Sequence, residues 1–253
     1  MVSAKDIVVK PIKAAVANEF VKKHHYSGKV VPNSQLHFGC FLNGILGGVM
    51  QFGPSTDKRK LVGLVKGTAF NDFLELNRMA FADLLPKNSE SRCISVAMRL
   101  IKKHYPHIKW IISFADGCQC GDGTIYRASG FKLTGIKKNT GLRADENGKV
   151  YSQVTFSAHR PNEMDKFRKM KPIVGFMLRY VYFLDKEKEK DLTVPVLPFS
   201  KIDEMGASMY KGIAYKKNAC LAQQQCSNFP VEDGGEAPTD TLHSFSEVKN
   251  AKW

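Results

Sequence analysis

Trp110-Ile-Ile-Ser-Phe-Ala-Asp116-Gly-Cys-Gln-Cys-Gly-Asp122-Gly-Thr-Ile-Tyr126-Arg-Ala-Ser-Gly130-Phe131 is the stretch from which the fold is read. The short apolar run Trp110–Phe114 predicts a buried strand. Asp116 ends it, and glycines at 117, 121 and 123 open a loop. Thr124–Ser129 predicts a short helix, with Gly130 where a helix C-cap takes a positive φ. Strand, polar glycine-rich loop and short helix in series are how open α/β sheets present chemistry at the carboxyl ends of their strands. Asp116, Asp122, Thr124 and Tyr126 crowd this one turn. The turn either joins two core elements, with Asp116 as its cap, or it is a site.

Working outward, Asp6–Lys10 predicts a first strand and Lys13–Lys23 an amphipathic helix, which runs into His24-His25-Tyr26-Ser27-Gly28. Phe38–Leu42 and Leu46–Phe52 predict a hairpin, because Asn43-Gly44 is a preferred two-residue turn. Residues 58–66 are basic and predict a loop or short helix. Phe73–Phe81 predicts a strand with Glu75, Asn77 and Met79 on one face and Leu74, Leu76, Arg78 and Ala80 on the other. A charge among apolar neighbours needs a partner or a ligand, so Arg78 is a candidate binding residue. Cys93–His104 predicts a helix with Asn88 or Ser89 as its cap. Its first turn combines hydroxyl and basic side chains (Ser89, Ser91, Arg92) with free backbone N–H groups, which suits a phosphate. Phe131–Ile136 and Val150–Ser157 predict an antiparallel pair about a turn at Asp145–Gly148, Met164–Lys171 a helix and Phe176–Leu184 a late strand. The order of elements predicts an α/β (α+β) class.

Lys and Arg number 38 against 24 Asp and Glu, a formal charge of +14. From Asn218 onward the chain holds five acids and two lysines, which leaves +17 on residues 1–217. A folded domain this basic is suited to a polyanion, nucleic acid first. Residues 1–215 predict one catalytic domain, and 216–253, rich in Gln, Ser, Gly and acids, a disordered acidic tail. None of the six cysteines has the C-x-x-C spacing of a zinc or thioredoxin motif. No apolar stretch reaches the length of a membrane span and no signal-peptide core opens the chain, so a cytosolic protein is expected.

The element order and Tyr126-Arg-Ala-Ser-Gly130-Phe131 resemble the GNAT acyltransferases, whose sheet is mixed and mostly antiparallel. In that superfamily such a tyrosine often protonates the departing coenzyme A thiolate. The segment 87–92 lies where those enzymes bind the donor pyrophosphate, but it contains no glycine. Within the superfamily, His25-Tyr26-Ser27, Leu76-Asn-Arg-Met79, Ser113-Phe-Ala-Asp116 and Gly123-Thr-Ile-Tyr126, in this order, are similar to the phage Mom proteins. The resemblance implies conversion of adenine in phage DNA to an N-carbamoylmethyl derivative that blocks host restriction, in the cytoplasm of an infected or lysogenic bacterium. It implies catalytic roles for His25, Tyr26, Asp116 and Tyr126. Substrate or donor binding then falls to Arg78, Asn77 and Ser113, and to the phosphate-suited Asn88, Ser89, Ser91 and Arg92.

Adenine's exocyclic amine is a poor nucleophile, so its acylation calls for a base nearby, Asp116 first and His25 second. The carbamoylmethyl product carries a methylene on the exocyclic nitrogen and a terminal amide, which a direct acetyl transfer does not give. Glycyl transfer followed by migration gives it without redox chemistry, with glycyl-tRNA as donor. The alternative donor is acetyl-CoA with an iron-dependent step, although no compact His/carboxylate triad stands in the sequence. Two rival functions are an ordinary GNAT N-acetyltransferase acting on an amine or protein, and a non-enzymatic basic DNA-binding protein.

Overall fold

The computed structural model describes residues 2–210 and 213–214. The tail expected from residue 216 lies outside them. Strand β1 (Val8–Pro11) leads into helix α1 (Ala14–His24) and the hairpin β2 (Leu36–Leu42) and β3 (Ile45–Gly53). Asn43 (φ 50) and Gly44 (φ 82) both take the left-handed conformation that a two-residue hairpin turn needs. After the short helix α2 (Lys58–Leu61) come β4 (Phe73–Phe81), α3 (Ser89–His104), β5 (Trp110–Asp116) and α4 (Thr124–Ala128). Then follow β6 (Lys132–Asn139), β7 (Leu142–Ala144), β8 (Val150–Ser152), α5 (Gln153–His159), α6 (Met164–Lys169), β9 (Lys171–Pro172), β10 (Gly175–Phe183) and α7 (Ser200–Glu204). A last two-stranded ribbon pairs β11 (Met209–Tyr210) with β12 (Ile213–Ala214).

Seven strands form the main sheet in the order β1-β2-β3-β4-β5-β10-β6. Every neighbouring pair is antiparallel except β4 and β5, which α3 connects. A parallel pair requires such a crossover, and it forces α3 onto one face of the sheet. There Cys93, Ile94, Ala97, Met98 and Ile101 of α3 pack on Leu74, Leu76, Ile111 and Phe131. On the other face α1 sets Ala17 and Val21 against Val49 and Ala80, while Trp110 stacks on Phe73 at 4.1 Å. The result is the α/β class expected, a mostly antiparallel mixed sheet flanked by helices. Among the described residues no helix is long and apolar enough to cross a membrane.

Two readings of the sequence are corrected. The run 150–157 is not one strand, and β6 pairs with β10 instead of with it. Its alternation of Val150, Ser152, Val154 and Phe156 imitates a strand, but Val154 is 72% exposed and only Phe156 is buried. After three residues of β8 the backbone turns into α5, and the pair belongs to a separate sheet, β8-β7-β9. The face assignment on β4 also fails. Arg78 pairs with Gln51 but Leu76 with Phe52, so Asn77 is an extra residue, a β-bulge, opposite their junction. The bulge shifts the pleat: Leu74, Leu76, Met79 and Phe81 all meet the α3 core, while Ala80 faces α1. Arg78 therefore does not share a face with Leu74 and Leu76.

Candidate active site

The site begins where β4 and β5 part. Their pairing covers Phe73–Glu75 against Trp110–Ile112 and stops, although β4 runs on to Phe81 and β5 to Asp116. With the bulge at Asn77, the two strands open a mouth between their carboxyl ends. Asn77 itself braces that mouth: its Oδ1 accepts from the Ser34 hydroxyl at 3.2 Å and its amide donates to Pro54 O at 3.4 Å. Ser113 is fully buried, its hydroxyl 3.5 Å from Leu76 O and hydrogen-bonded with Tyr126.

Asp116, 8% exposed, ends β5. Its Oδ1 accepts from Cys118 N at 3.0 Å and from the Asn139 amide at 3.3 Å, and its Oδ2 accepts from the Gln119 amide at 3.2 Å. The Cys118 thiol also hydrogen-bonds this carboxylate. The Cys120 thiol donates to Asp116 O at 3.2 Å. Both loop thiols are driven toward the neutral form by burial, Cys118 up to about 12.

His25 and Tyr26 arrive from the end of α1, their rings 4.2 Å apart. The Ser27 backbone N–H donates to His25 Nδ1 at 3.1 Å, and the Ser27 hydroxyl lies 2.8 Å from the same nitrogen. Nδ1 is thus the acceptor, and the neutral ring carries its proton on Nε2. Burial, helped by the Arg78 cation, pushes His25 down to about 4. The ring is therefore neutral at pH 7 and presents a donor, which moves it away from the role of base. A stability consequence follows. The unfolded His25 titrates near 6.5, so below that value the unfolded chain binds a proton that the folded chain refuses until about 4. Stability falls as the pH drops through this window. His25→Asn, whose Oδ1 replaces Nδ1, flattens the fall, as urea midpoints across the window will measure.

Tyr26 exposes 54% of its surface, yet its hydroxyl end is enclosed. Burial, then Cys120 and Asp116, raise its pKa, with Arg78 opposing. Tyr126 on α4 is 9% exposed and is pushed up to about 12 by burial, against the Ser113 hydrogen bond. Both phenols hold their protons at neutral pH. Arg78 donates through Nε to Lys29 O at 2.8 Å and through Nη1 to Asn77 O at 2.7 Å, but makes no ion pair among the described residues. Two carbonyls orient its fork and leave Nη2 for an anion.

The structure thus brings together His25, Tyr26, Arg78, Ser113, Asp116 and Tyr126. It also adds residues that the sequence reading passed over: Glu75, Gln119, Cys120 and Asn139. Glu75 lies at the last β4–β5 pair, hydrogen-bonded to Ser55 and Asn77, and burial raises its pKa against the pull of those bonds and of Arg78. An acidic residue beside an isolated arginine on one strand was the available signal. Asn88, Ser91 and Arg92 instead line a separate cavity of about 650 Å³ with Lys5, Lys87 and Ala128. Asn88 occupies the N-cap position but takes φ 66, and its side chain does not cap. It takes the left-handed conformation that glycine adopts most readily. Ser89 is buried, its hydroxyl donating to Pro86 O, so it supports the loop from within. No group of three or more His, Cys, Asp or Glu among the described residues is arranged to hold a metal ion.

Comparison with known proteins places this chain in a family. Methylcarbamoylase mom of Escherichia phage Mu is 34% identical over 208 residues, covering 78% of this chain and 85% of that one. Among solved structures, an N-acetyltransferase from Staphylococcus aureus Mu50 superposes with a TM-score of 0.43 at 11% identity, over 71% of this chain and 99% of that one. An IAA acetyltransferase from Bacillus cereus gives 0.41 at 13% identity, over 70% and 99%. The Mom protein family matches residues 6–201, and the chain belongs to that family.

Proposed function

We propose that this protein is a transferase that converts adenine in double-stranded DNA to N-carbamoylmethyladenine. One observation carries the reading. A buried carboxylate, a neutral imidazole donor, two protonated phenols and an arginine without an ion pair among the described residues converge on the mouth between β4 and β5. In this reading Asp116 takes the proton from the attacking amine, and His25 Nε2–H and Tyr126 donate to oxygens that gain charge. Arg78 holds an anionic part of the donor or a DNA phosphate, and the exposed ring of Tyr26 stacks on the extruded base. The +17 charge on residues 1–217 supports sequence-independent attraction to the backbone. Adenine N6 is a donor read in the major groove, so a substituent there masks the base from a restriction enzyme.

The donor in this proposal is an activated glycine ester, glycyl-tRNA being the cellular form. The adenine amine displaces the ester oxygen, giving a glycyl amide and a free tRNA hydroxyl. The new amino group then attacks the ring carbon, and the original amine leaves the ring as the terminal amide. No oxidant or reductant is consumed. The acetyl-CoA alternative requires a redox step, and no group of three or more His, Cys, Asp or Glu among the described residues is arranged to hold iron for it, so no step is routed through iron. The cavity at Asn88, Ser91 and Arg92 suits the phosphates of either donor. Mass spectrometry of nucleosides from plasmid DNA, after expression in bacteria fed ¹⁵N-glycine, tests the proposal. An adenosine carrying the carbamoylmethyl mass and one ¹⁵N beyond that of unmodified adenosine from the same DNA, whose ring N7 also derives from glycine, is expected. Unmodified DNA with well-expressed protein overturns the reaction, and a product with no more label than unmodified adenosine overturns the glycyl route alone.

A further inference from the structure

Between β6 and β10, which are neighbours in the main sheet, residues 140–174 leave the sheet and return. This excursion builds the sheet β8-β7-β9 and helices α5 and α6 around a small core of its own. Leu142, Phe156 and Phe167 are buried there, with the two phenylalanine rings 5.2 Å apart. One of its roots touches the candidate base and the other touches the residue after it. Asn139, just before the excursion, donates to Asp116 Oδ1, and Phe176 O, just after it, accepts from Gly117 N at 2.9 Å.

The excursion overhangs the mouth of the site and encloses a cleft of about 670 Å³. Tyr26, Lys29 and Arg78 line one wall, and Lys149, Tyr151 and Arg160 line the other. Its charge is not spread evenly. Residues 140–174 hold seven Lys and Arg against four Asp and Glu, and on α6 Arg168 pairs with Asp165 while Lys166 pairs with Glu163. The exposed Arg160 has no ion pair among the described residues and rests over the Phe156 ring at 5.7 Å. Lys149 rests over Tyr151 at 5.6 Å, with Asp145 as its nearby acid. Of the cations there without a full partner, Lys149 and Arg160 line the cleft, together with Lys29.

We propose that residues 140–174 are a DNA clamp, in which Lys149 and Arg160 hold backbone phosphates flanking the adenine and Lys29 meets the backbone from the opposite wall. The inference rests on the DNA-adenine reaction proposed above. Duplex DNA is favoured over tRNA because this cleft contains Tyr26 and adjoins Asp116, and it shares no lining residue with the cavity at the start of α3. The roots at Asn139 and Phe176 link clamp occupancy to the carboxylate that takes the proton.

The test compares the full chain with Lys149→Gln/Arg160→Gln, and with Lys166→Gln/Arg168→Gln as the internally paired control. Affinity for a short adenine-containing duplex is measured as a function of salt. Each lost phosphate contact lowers the slope of log K against log salt by about 0.9, so the first double variant loses roughly two units of slope and the control keeps the parent slope. Both altered pairs are exposed, and thermal melting confirms that they remain folded. An unchanged slope in Lys149→Gln/Arg160→Gln, with the parent still modifying DNA, overturns the clamp and leaves the reaction standing. A slope lost equally in the control overturns it as well. Loss of glycyl-tRNA binding with DNA binding intact assigns the cleft to the donor and overturns the proposal. Failure of the parent to modify DNA tells against the reaction itself.

Discussion

Asp116→Asn lowers the rate of adenine modification by about 10²–10⁴-fold, the range for loss of a positioned base, while fold and DNA affinity are kept. The asparagine keeps the shape of the side chain and an oxygen to accept from Cys118 N and the Asn139 amide, now 3.0 and 3.3 Å from Oδ1. Its amide replaces Oδ2, and Gln119, whose amide donates there at 3.2 Å, can turn its own oxygen to receive it. Only the capacity to take a proton is lost. Asp116→Ala is a poorer probe, since it strands two buried donors at a cost of roughly 1–3 kcal/mol each and confuses stability with chemistry. Single-turnover rates on duplex DNA, together with salt-dependent affinity, check the expectation. A rate within about tenfold of the parent would move the base elsewhere, and Glu75 is then the next carboxylate at the mouth.

How much of this was legible in the sequence depended on how local each feature is. The strand at Trp110, the Asn43-Gly44 hairpin and the apolar spacing of α3 are set by residues close in sequence, and each formed where its pattern placed it. The bulge at Asn77 exists only relative to β3, so the strand's own alternation could not reveal it, and Arg78 was given the wrong neighbours. The excursion after β6 failed for a related reason: four residues at strand spacing invited a pairing, but β10, arriving much later, took the place beside β6. Asn139 reaches Asp116 only because β10 inserts between β5 and β6 and aligns their ends. His25 and Tyr26 were placed in the site by family resemblance, since nothing in their own surroundings points toward residue 116. Asp116 and Tyr126 were legible from the turn itself.

Gly123→Ala destabilises the protein by about 2–5 kcal/mol, and at temperatures where the variant is still folded it loses most of its activity. Two costs add at this position. Gly123 stands at φ 81 and ψ 30, a left-handed conformation that costs an L residue roughly 1–2 kcal/mol. A Cβ there would also lie 2.8 Å from Cζ and 3.0 Å from the hydroxyl of Tyr180, and overpacking of this kind costs about 1–3 kcal/mol. The ring has nowhere to retreat. Tyr180 is fully buried, donates to Asp122 O at 2.5 Å and packs 5.3 Å from the Tyr126 ring. Asp122 in turn receives Thr124 at 2.9 Å and pairs with Arg127 at 3.2 Å, which fixes the first turn of α4. Any shift of Tyr180 therefore passes into the helix that carries Tyr126 and moves its hydroxyl away from Ser113. For a domain of this size each kcal/mol is worth roughly 2–4 °C, so the melting temperature drops by about 4–20 °C. Gly148→Ala separates the two costs, because Gly148 has φ 76 but nothing within 4 Å of an added Cβ. That variant pays only the backbone cost and keeps its activity. Equal melting temperatures for the two variants would show that Tyr180 yields after all, and would remove the packing link between β10 and the site helix.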